Sequence, residues 1–424
     1  MKKTNSAIVI AMLAATAPAG ATEPFRLFSS PLTGQTSVYD WTGFYIGIGG
    51  GTGFLIDEVN IPAFGATSIS GVGGRGYFGK LTVGYDHLFS NGVVVGGAIS
   101  GRYGDVDTSW SVTGVPLTGE LKADYGIDVI GRLGYTIAPR TLAYVLGGYS
   151  WQHFELSSTA PAFSTGWNDS GFVVGIGTET AFRNNWTWSS EYRYSQYSGT
   201  SIAALGGVGI DPATHMFHSS LNYRFGGGPS GIERASFVHD WTGFKVGAAV
   251  SVGASLNKVT TAGGTITFDG LATEGYLGEI NIGYDREFGE RWVAGVVLAA
   301  EYIGASSSAT SAGTTVSAKA DDFGFDALLR IGRKFNDYTL GYVIGGYTWQ
   351  NLSASISAPA ATTDVSVNAF SIGTGTELAL SEKTSAYVEY RYTMYEDVNL
   401  GGVATIEPSS HTVRVGAKFK LYPD

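Results

Sequence analysis

The chain contains no cysteine, which excludes disulfides, thiolate metal sites and a lipidated cysteine. Charge is also scarce. Only 15% of the residues are Asp, Glu, Lys or Arg, and the balance is −10, so nothing draws the chain to nucleic acid electrostatically. Beyond the N-terminus no run approaches 18 apolar residues, and no membrane-spanning helix is expected. The sequence also lacks a Walker loop, a Gly-x-Ser-x-Gly elbow in a strand-turn-helix context and metal-ligand spacing. No catalytic residue, metal site or cofactor is therefore expected, and the chain reads as a non-enzyme.

Glycine is abundant, at 62 of 424 residues. Glycine with little charge can signal disorder, but an apolar fraction of 44% argues for a packed or membrane-embedded fold. At the N-terminus Lys2 and Lys3 precede an apolar stretch from Ala7 to Ala17, and Ala19-Gly20-Ala21 has the small-x-small cleavage pattern. Residues 1–21 read as a secretory signal.

The remainder repeats itself. Asp40-Trp41-Thr42-Gly43-Phe44 returns as Asp240-Trp241-Thr242-Gly243-Phe244, and Glu191-Tyr192-Arg193-Tyr194 as Glu389-Tyr390-Arg391-Tyr392. The offset holds at 198 to 200 residues, so a domain-sized unit is duplicated. The expected units are a periplasmic segment at 22–39, one repeat at 40–225, a linker at 226–239 and a second repeat at 240–424.

Within each repeat the apolar pattern has period two, as in strands. Phe172, Val174 and Ile176 share one face, and Val173, Gly175, Gly177 and Glu179 the other. Eight such segments are expected per repeat: 42–53, 76–88, 92–104, 124–137, 141–153, 171–183, 186–197 and 216–225, then 242–255, 274–288, 291–303, 322–335, 338–351, 368–380, 384–395 and 411–422. Tight turns such as Ser90-Asn91-Gly92 and Ala138-Pro139-Arg140 alternate with loops of about 14–22 residues, the pattern of an outer-membrane barrel. The turns would mark the periplasmic rim, leaving both termini in the periplasm. Trp41, Trp186, Trp188, Trp241 and Trp292 would form a girdle there, and Trp151 and Trp349 an outer one.

The alternation also sorts the charges. Asp128, Arg132, Glu179, Glu191 and Arg193 face inward in the first repeat, and Asp326, Arg330, Glu377, Glu389 and Arg391 match them in the second. A charge facing lipid costs a few kcal/mol, so these belong in the lumen as structural ion pairs. Inward Tyr45 becomes Lys245 and inward Lys80 becomes Glu279. Because those strands are neighbours, Lys245 and Glu279 are expected to pair.

Several segments resemble the small outer-membrane surface antigens of alphaproteobacteria, the porin-family β-barrel proteins. They are Asp40 to Gly47, Gly84-Tyr85-Asp86, Glu191 to Tyr194, His218 to Phe225 and His411 to Phe419. The resemblance implies an eight-stranded barrel per repeat, a role in envelope structure, and, for some relatives, haem acquisition or host contact. This chain departs from the family by being a tandem and by running on as Lys420-Leu421-Tyr422-Pro423-Asp424 rather than stopping at an aromatic.

The fold class is thus all-β, a transmembrane antiparallel up-and-down barrel. Two eight-stranded barrels are favoured because each repeat carries its own inward charges; one 16-stranded barrel is the alternative. The corresponding functions are a structural, surface-exposed outer-membrane protein with narrow passage at most, or a diffusion porin. A third reading is haem or host-surface binding, with His153, His215, His218 and His411 as the candidate haem ligands. Expected partners are outer-membrane lipid, lipopolysaccharide and, during biogenesis, the barrel-assembly machinery.

Overall fold

A computed structural model describes residues 34–61, 67–112, 117–159, 162–202, 207–261, 264, 266–311, 314–357, 360–400 and 404–421. The expected signal segment 1–21 and residues 422–424 lie outside them. Twenty strands follow in order. A short strand β1 (Gly34–Tyr39) leads into the first repeat: β2 (Gly43–Ile61), β3 (Thr67–Leu88), β4 (Val93–Val112), β5 (Leu117–Ala138), β6 (Thr141–Thr159), β7 (Ala162–Ala181), β8 (Trp186–Tyr197), β9 (Thr200–Ile202) and β10 (Val208–Arg224). After β11 (Pro229–Ser236) the second repeat contains β12 (Gly243–Thr261), β13 (Ile266–Phe288), β14 (Trp292–Ser311), β15 (Thr314–Asn336), β16 (Thr339–Ser357), β17 (Ala360–Ala379), β18 (Thr384–Tyr395), β19 (Val398–Leu400) and β20 (Ala404–Lys420).

Hydrogen-bond ladders run between sequence neighbours and then return within each repeat. β10 pairs with β2, Arg224 opposite Tyr45, and β20 pairs with β12, Lys420 opposite Lys245. All these pairings are antiparallel. The two rings form one continuous sheet system because outer ends also pair: Ile266–Asp269 of β13 with Ser109–Val112 of β4, and Ser308–Thr310 of β14 with Ser68–Ser70 of β3.

The strands are longer than the alternation indicates. β3 has 22 residues and β13 has 23, where about 9–11 suffice to span a bilayer. The Ser-, Thr-, Ala- and Gly-rich stretches expected as loops largely continue the ladders. A ladder needs backbone partners rather than apolar alternation, so it persists above the apolar band. Exposed apolar residues mark that band: Tyr77 to Tyr85 on β3, Trp292 to Tyr302 on β14 and Phe323 to Ile331 on β15. Its outer edge is a ring of Tyr77, Tyr103, Tyr125, Tyr149 and Phe172, matched by Tyr276, Tyr302, Phe323, Tyr347 and Phe370. These amphipathic or aromatic rings form the outer girdle more than Trp151 and Trp349, which are half-buried.

At the turn end, Trp186 and Trp292 remain 37% and 44% exposed, whereas Trp41 and Trp241 are fully buried. The expected girdle is corrected at these two positions, and at Trp188, which packs toward Phe335 of the other repeat at 6.3 Å. Trp41 and Trp241 both precede their first strand and fold under the lumen. Trp41 packs with Val38, Tyr39, Leu88, Val94 and Leu142, making a floor. The linker is also not a free tether: β11 pairs with β1, Gly34 opposite Ser236.

The repeats meet about a pseudo-two-fold axis. Equivalent Thr141 and Thr339 hydrogen-bond at 2.9 Å. Further out, Phe217 stacks on Tyr390 at 5.2 Å, and Tyr192, Tyr194, Val252, Val388 and Val413 are buried around them.

Trp41→Ala is expected to destabilise the protein by about 3–5 kcal/mol, and Trp186→Ala by less than ~1 kcal/mol. Urea titration of the compact form on unheated gels measures both.

Candidate functional site: the charged lumens

In a strand, residues two apart share a face, so inward positions stack into layers inside each ring. All twelve inward charges expected from the sequence are buried. The structure sorts them into a lower and a middle layer.

In the first repeat, the lower layer is a closed quartet of Asp86, Arg132, Glu179 and Arg224. Arg132 Nε donates to Asp86 Oδ1 at 2.6 Å and its Nη1 to Glu179 Oε2 at 3.0 Å. Arg224 Nε donates to Glu179 Oε1 at 2.9 Å and its Nη2 to Asp86 Oδ2 at 2.8 Å. Thr187 donates a further bond to Glu179 Oε1 at 2.6 Å. Rings sandwich the guanidiniums: Arg132 lies 4.8 Å from the Tyr45 centroid and 4.9 Å from that of Tyr144, and Arg224 lies 4.9 Å from that of Trp41. Bidentate geometry and satisfied lone pairs are what make such burial tolerable.

The middle layer joins Arg102, Asp128, Arg193, Glu191, Lys80 and His218. Arg102 donates to Asp128 at 2.5 Å, Arg193 bridges Asp128 at 2.8 Å and Glu191 at 2.7 Å, and Lys80 lies 3.4 Å from Glu191. Tyr144 OH donates to Glu191 Oε1 at 2.6 Å. Above lies an apolar cap of Leu55, Val106, Leu121, Phe154, Leu156 and Ile210. Floor, two charged layers and cap thus follow one another along the inside of the first ring.

The second repeat keeps the frame and changes the charges. Arg330 bridges Asp285, with Nε to Oδ1 at 2.7 Å, and Glu377, with Nη1 to Oε2 at 2.5 Å. Two ammonium groups take over the bonds that Arg224 makes in the first repeat: Lys245, at the position of Tyr45, lies 2.9 Å from Asp285, and Lys418, at the position of Asn222, lies 3.1 Å from Glu377. In the middle layer Arg391 binds Glu389 at 2.6 Å, Glu301 at 3.2 Å and also Asp326. Arg414 binds both Glu279 and Glu301. At the turn end, burial alone would push the Asp240 carboxyl up. The Lys420 ammonium, 2.5 Å away, and the Thr242 amide outweigh it and hold the carboxyl below its usual range.

Lys245 and Glu279 do not pair. Lys245 stands opposite Gly283 and Glu279 opposite Ala249, a separation of about 13 Å along the strand at ~3.3 Å per residue. The strands are neighbours, but the register assigns the two charges to different layers. Asp86, Arg102, Arg224, Asp285, Glu301, Arg414 and Lys418 were not singled out from the sequence. Each shares parity with an inward residue on its own strand, which was the available signal.

The four histidines do not converge. His218 lies in the first lumen, its Nε2 2.8 Å from Glu191. His153 is on the outer face, 2.8 Å from Asp124 and stacked on Tyr125. His215 and His411 sit where the repeats meet: His215 lies 3.1 Å from Glu274, and His411 packs on Phe54 at 4.3 Å.

A family model described as "Outer membrane protein beta-barrel domain" matches residues 7–225 and again 235–419. The chain is 30% identical over 245 residues to the 31 kDa outer-membrane immunogenic protein of Brucella melitensis, covering 53% of this chain and 100% of that protein. It is 31% identical over 159 residues to the 22 kDa outer membrane protein of Rhizobium leguminosarum, covering 37% and 64% respectively. Among solved structures it is similar to Ail of Yersinia pestis, at 17% identity and TM-score 0.25, covering 43% of this chain and 99% of that one. It is also similar to the toluene transporter TodX of Pseudomonas putida, at 10% identity and TM-score 0.27, covering 90% and 91%.

Glu179→Gln, which leaves two guanidiniums short of a counter-charge, is expected to cost about 3–5 kcal/mol. A double-mutant cycle of Lys245→Ala with Glu279→Ala should be additive to within ~0.5 kcal/mol. Urea unfolding of the singles and the double checks it; strong coupling would contradict the layer assignment.

Proposed function

The chain belongs to the outer-membrane protein β-barrel family, and from that premise we propose that it is a structural surface protein of the outer membrane, built as two narrow barrels that admit little or no solute. The observation that carries this reading is the layering of the first lumen: the Trp41 floor, the Asp86–Arg132–Glu179–Arg224 quartet, the middle layer and the apolar cap follow one another along it. Narrow barrels are filled by side chains, whereas a 16-stranded ring encloses water. The return of β10 to β2 and of β20 to β12 supports two narrow barrels over one diffusion porin.

On this reading the tight turns and both chain ends face the periplasm. The long strands then lift a two-barrel wall above the lipid, joined at its outer edge by the β4–β13 pairing. That wall is what the exterior meets, and lipopolysaccharide is its nearest neighbour. The Brucella relative is named an immunogenic outer-membrane protein; display of such a wall fits the same role here. Support of the envelope follows from a rigid pair of barrels with ion-paired cores.

In planar bilayers the purified chain is expected to give no steady conductance of porin size. Large, long-lived steps from the monomer would overturn the closed-lumen reading.

A further inference from the structure

Between the repeats, on the turn-end half of the apolar band, lies a cleft of about 300 Å³. Trp188, Ser190, Phe217 and Ser219 of the first repeat form one wall; Trp292, Ile331, Arg333, Phe335, Val343 and Thr374 of the second form much of the other. Its volume is at the lower end of the range for small-molecule sites.

Three hydroxyls of the cleft are already taken up within the protein. Ser190 and Ser219 hydroxyls hydrogen-bond at 3.0 Å, and Thr374 Oγ1 donates to the Tyr342 carbonyl at 3.0 Å. What remains for an occupant is mostly apolar and aromatic surface. The mouth is different. Arg333 lies opposite Trp292 in the ladder, with its guanidinium 5.9 Å from the indole centroid. Among the described residues it makes no ion pair. Phe182 lies 6.4 Å from Phe335, which brings the Arg183 turn of the first repeat to the same end.

An apolar slot with an unneutralised guanidinium at the membrane surface matches a lipid that has an anionic headgroup and hydrocarbon chains. Basic residues at seams between membrane segments recognise such headgroups, and arginine suits phosphate better than a point charge does. We propose that this cleft is a site for one glycerophospholipid of the periplasm-facing leaflet. An acyl chain lies against Phe217, Ile331 and Val343, and the phosphate sits on Arg333. The inference rests on the orientation adopted above, with tight turns in the periplasm. The site exists only where two barrels stand side by side, so it is a property of the tandem.

The test is native mass spectrometry of the full chain, extracted from membranes in mild detergent, with folding checked by heat-modified gel mobility. The native chain should retain one phospholipid. Arg333→Gln should lower the retained fraction about ten-fold, the loss of one charge-assisted phosphate contact. Val343→Trp fills the cleft and should abolish retention, while Val145→Trp, the equivalent substitution on the first repeat, should leave it unchanged. A folded chain without lipid, or equal retention in all variants, would overturn the site. Retention of a lipid A species in place of phospholipid would overturn the leaflet assignment and, with it, the orientation. Neither result bears on whether the lumens are closed, which conductance reads separately.

Discussion

The structure depends on one constraint: a charge buried inside a ring of strands must find its partners there. Each ring has to satisfy its own carboxylates and guanidiniums, because removing one partner of a buried pair leaves an uncompensated ion. The quartet of Asp86, Arg132, Glu179 and Arg224 meets this demand with bonds drawn from four strands, β3, β5, β7 and β10. Those strands do not all neighbour one another, so the quartet braces the ring across its diameter while the ladders bind it along its circumference. Tyr45, Tyr144 and Trp41 lie against the guanidiniums, giving the polar layer an aromatic lining.

Duplication lets the same frame be solved twice. In the middle layer Lys80, Arg102 and Arg193 face Asp128 and Glu191 in the first repeat, whereas Arg391 and Arg414 face Glu279, Glu301, Asp326 and Glu389 in the second. Cations dominate one layer and carboxylates the other. The layer below shifts the opposite way, from a balanced quartet to Arg330, Lys245 and Lys418 around Asp285 and Glu377. The gain of Lys245 is thus answered by carboxylates of its own layer and not by Glu279.

Period two made much of this legible. The faces of Asp128, Arg132, Glu179 and Arg193 follow from alternation alone, and the tight turns from Asn, Gly and Pro at the strand ends. Three features were hidden for physical reasons. Alternation gives parity but not register, so it could not say that Glu279 stands opposite Ala249. A position facing lipid and one facing the other repeat are equally apolar, so Tyr192, Phe217 and His215 carry no mark of the seam. Trp41 precedes the first strand, and a period that begins at Gly43 cannot tell a girdle from a floor.

The seam itself shows what a tandem permits. A two-fold pair of identical barrels must present the same residue at both equivalent positions. Thr141 against Thr339 obeys that rule, since a hydroxyl both donates and accepts. Position 75 and its equivalent 274 do not. Arg75 reaches across to the second repeat and donates to Ser409 Oγ at 2.9 Å, while Glu274 reaches back to His215 at 3.1 Å. Opposite charges at equivalent sites are open only to copies that have diverged within one chain. The same divergence put Trp188 and Phe217 on one side of the seam, where the equivalent positions hold the smaller Ala386 and Val413. Duplication within one chain therefore does more than hold two repeats together: it allows their contact to become asymmetric, with complementary charges in one half and an aromatic cleft in the other.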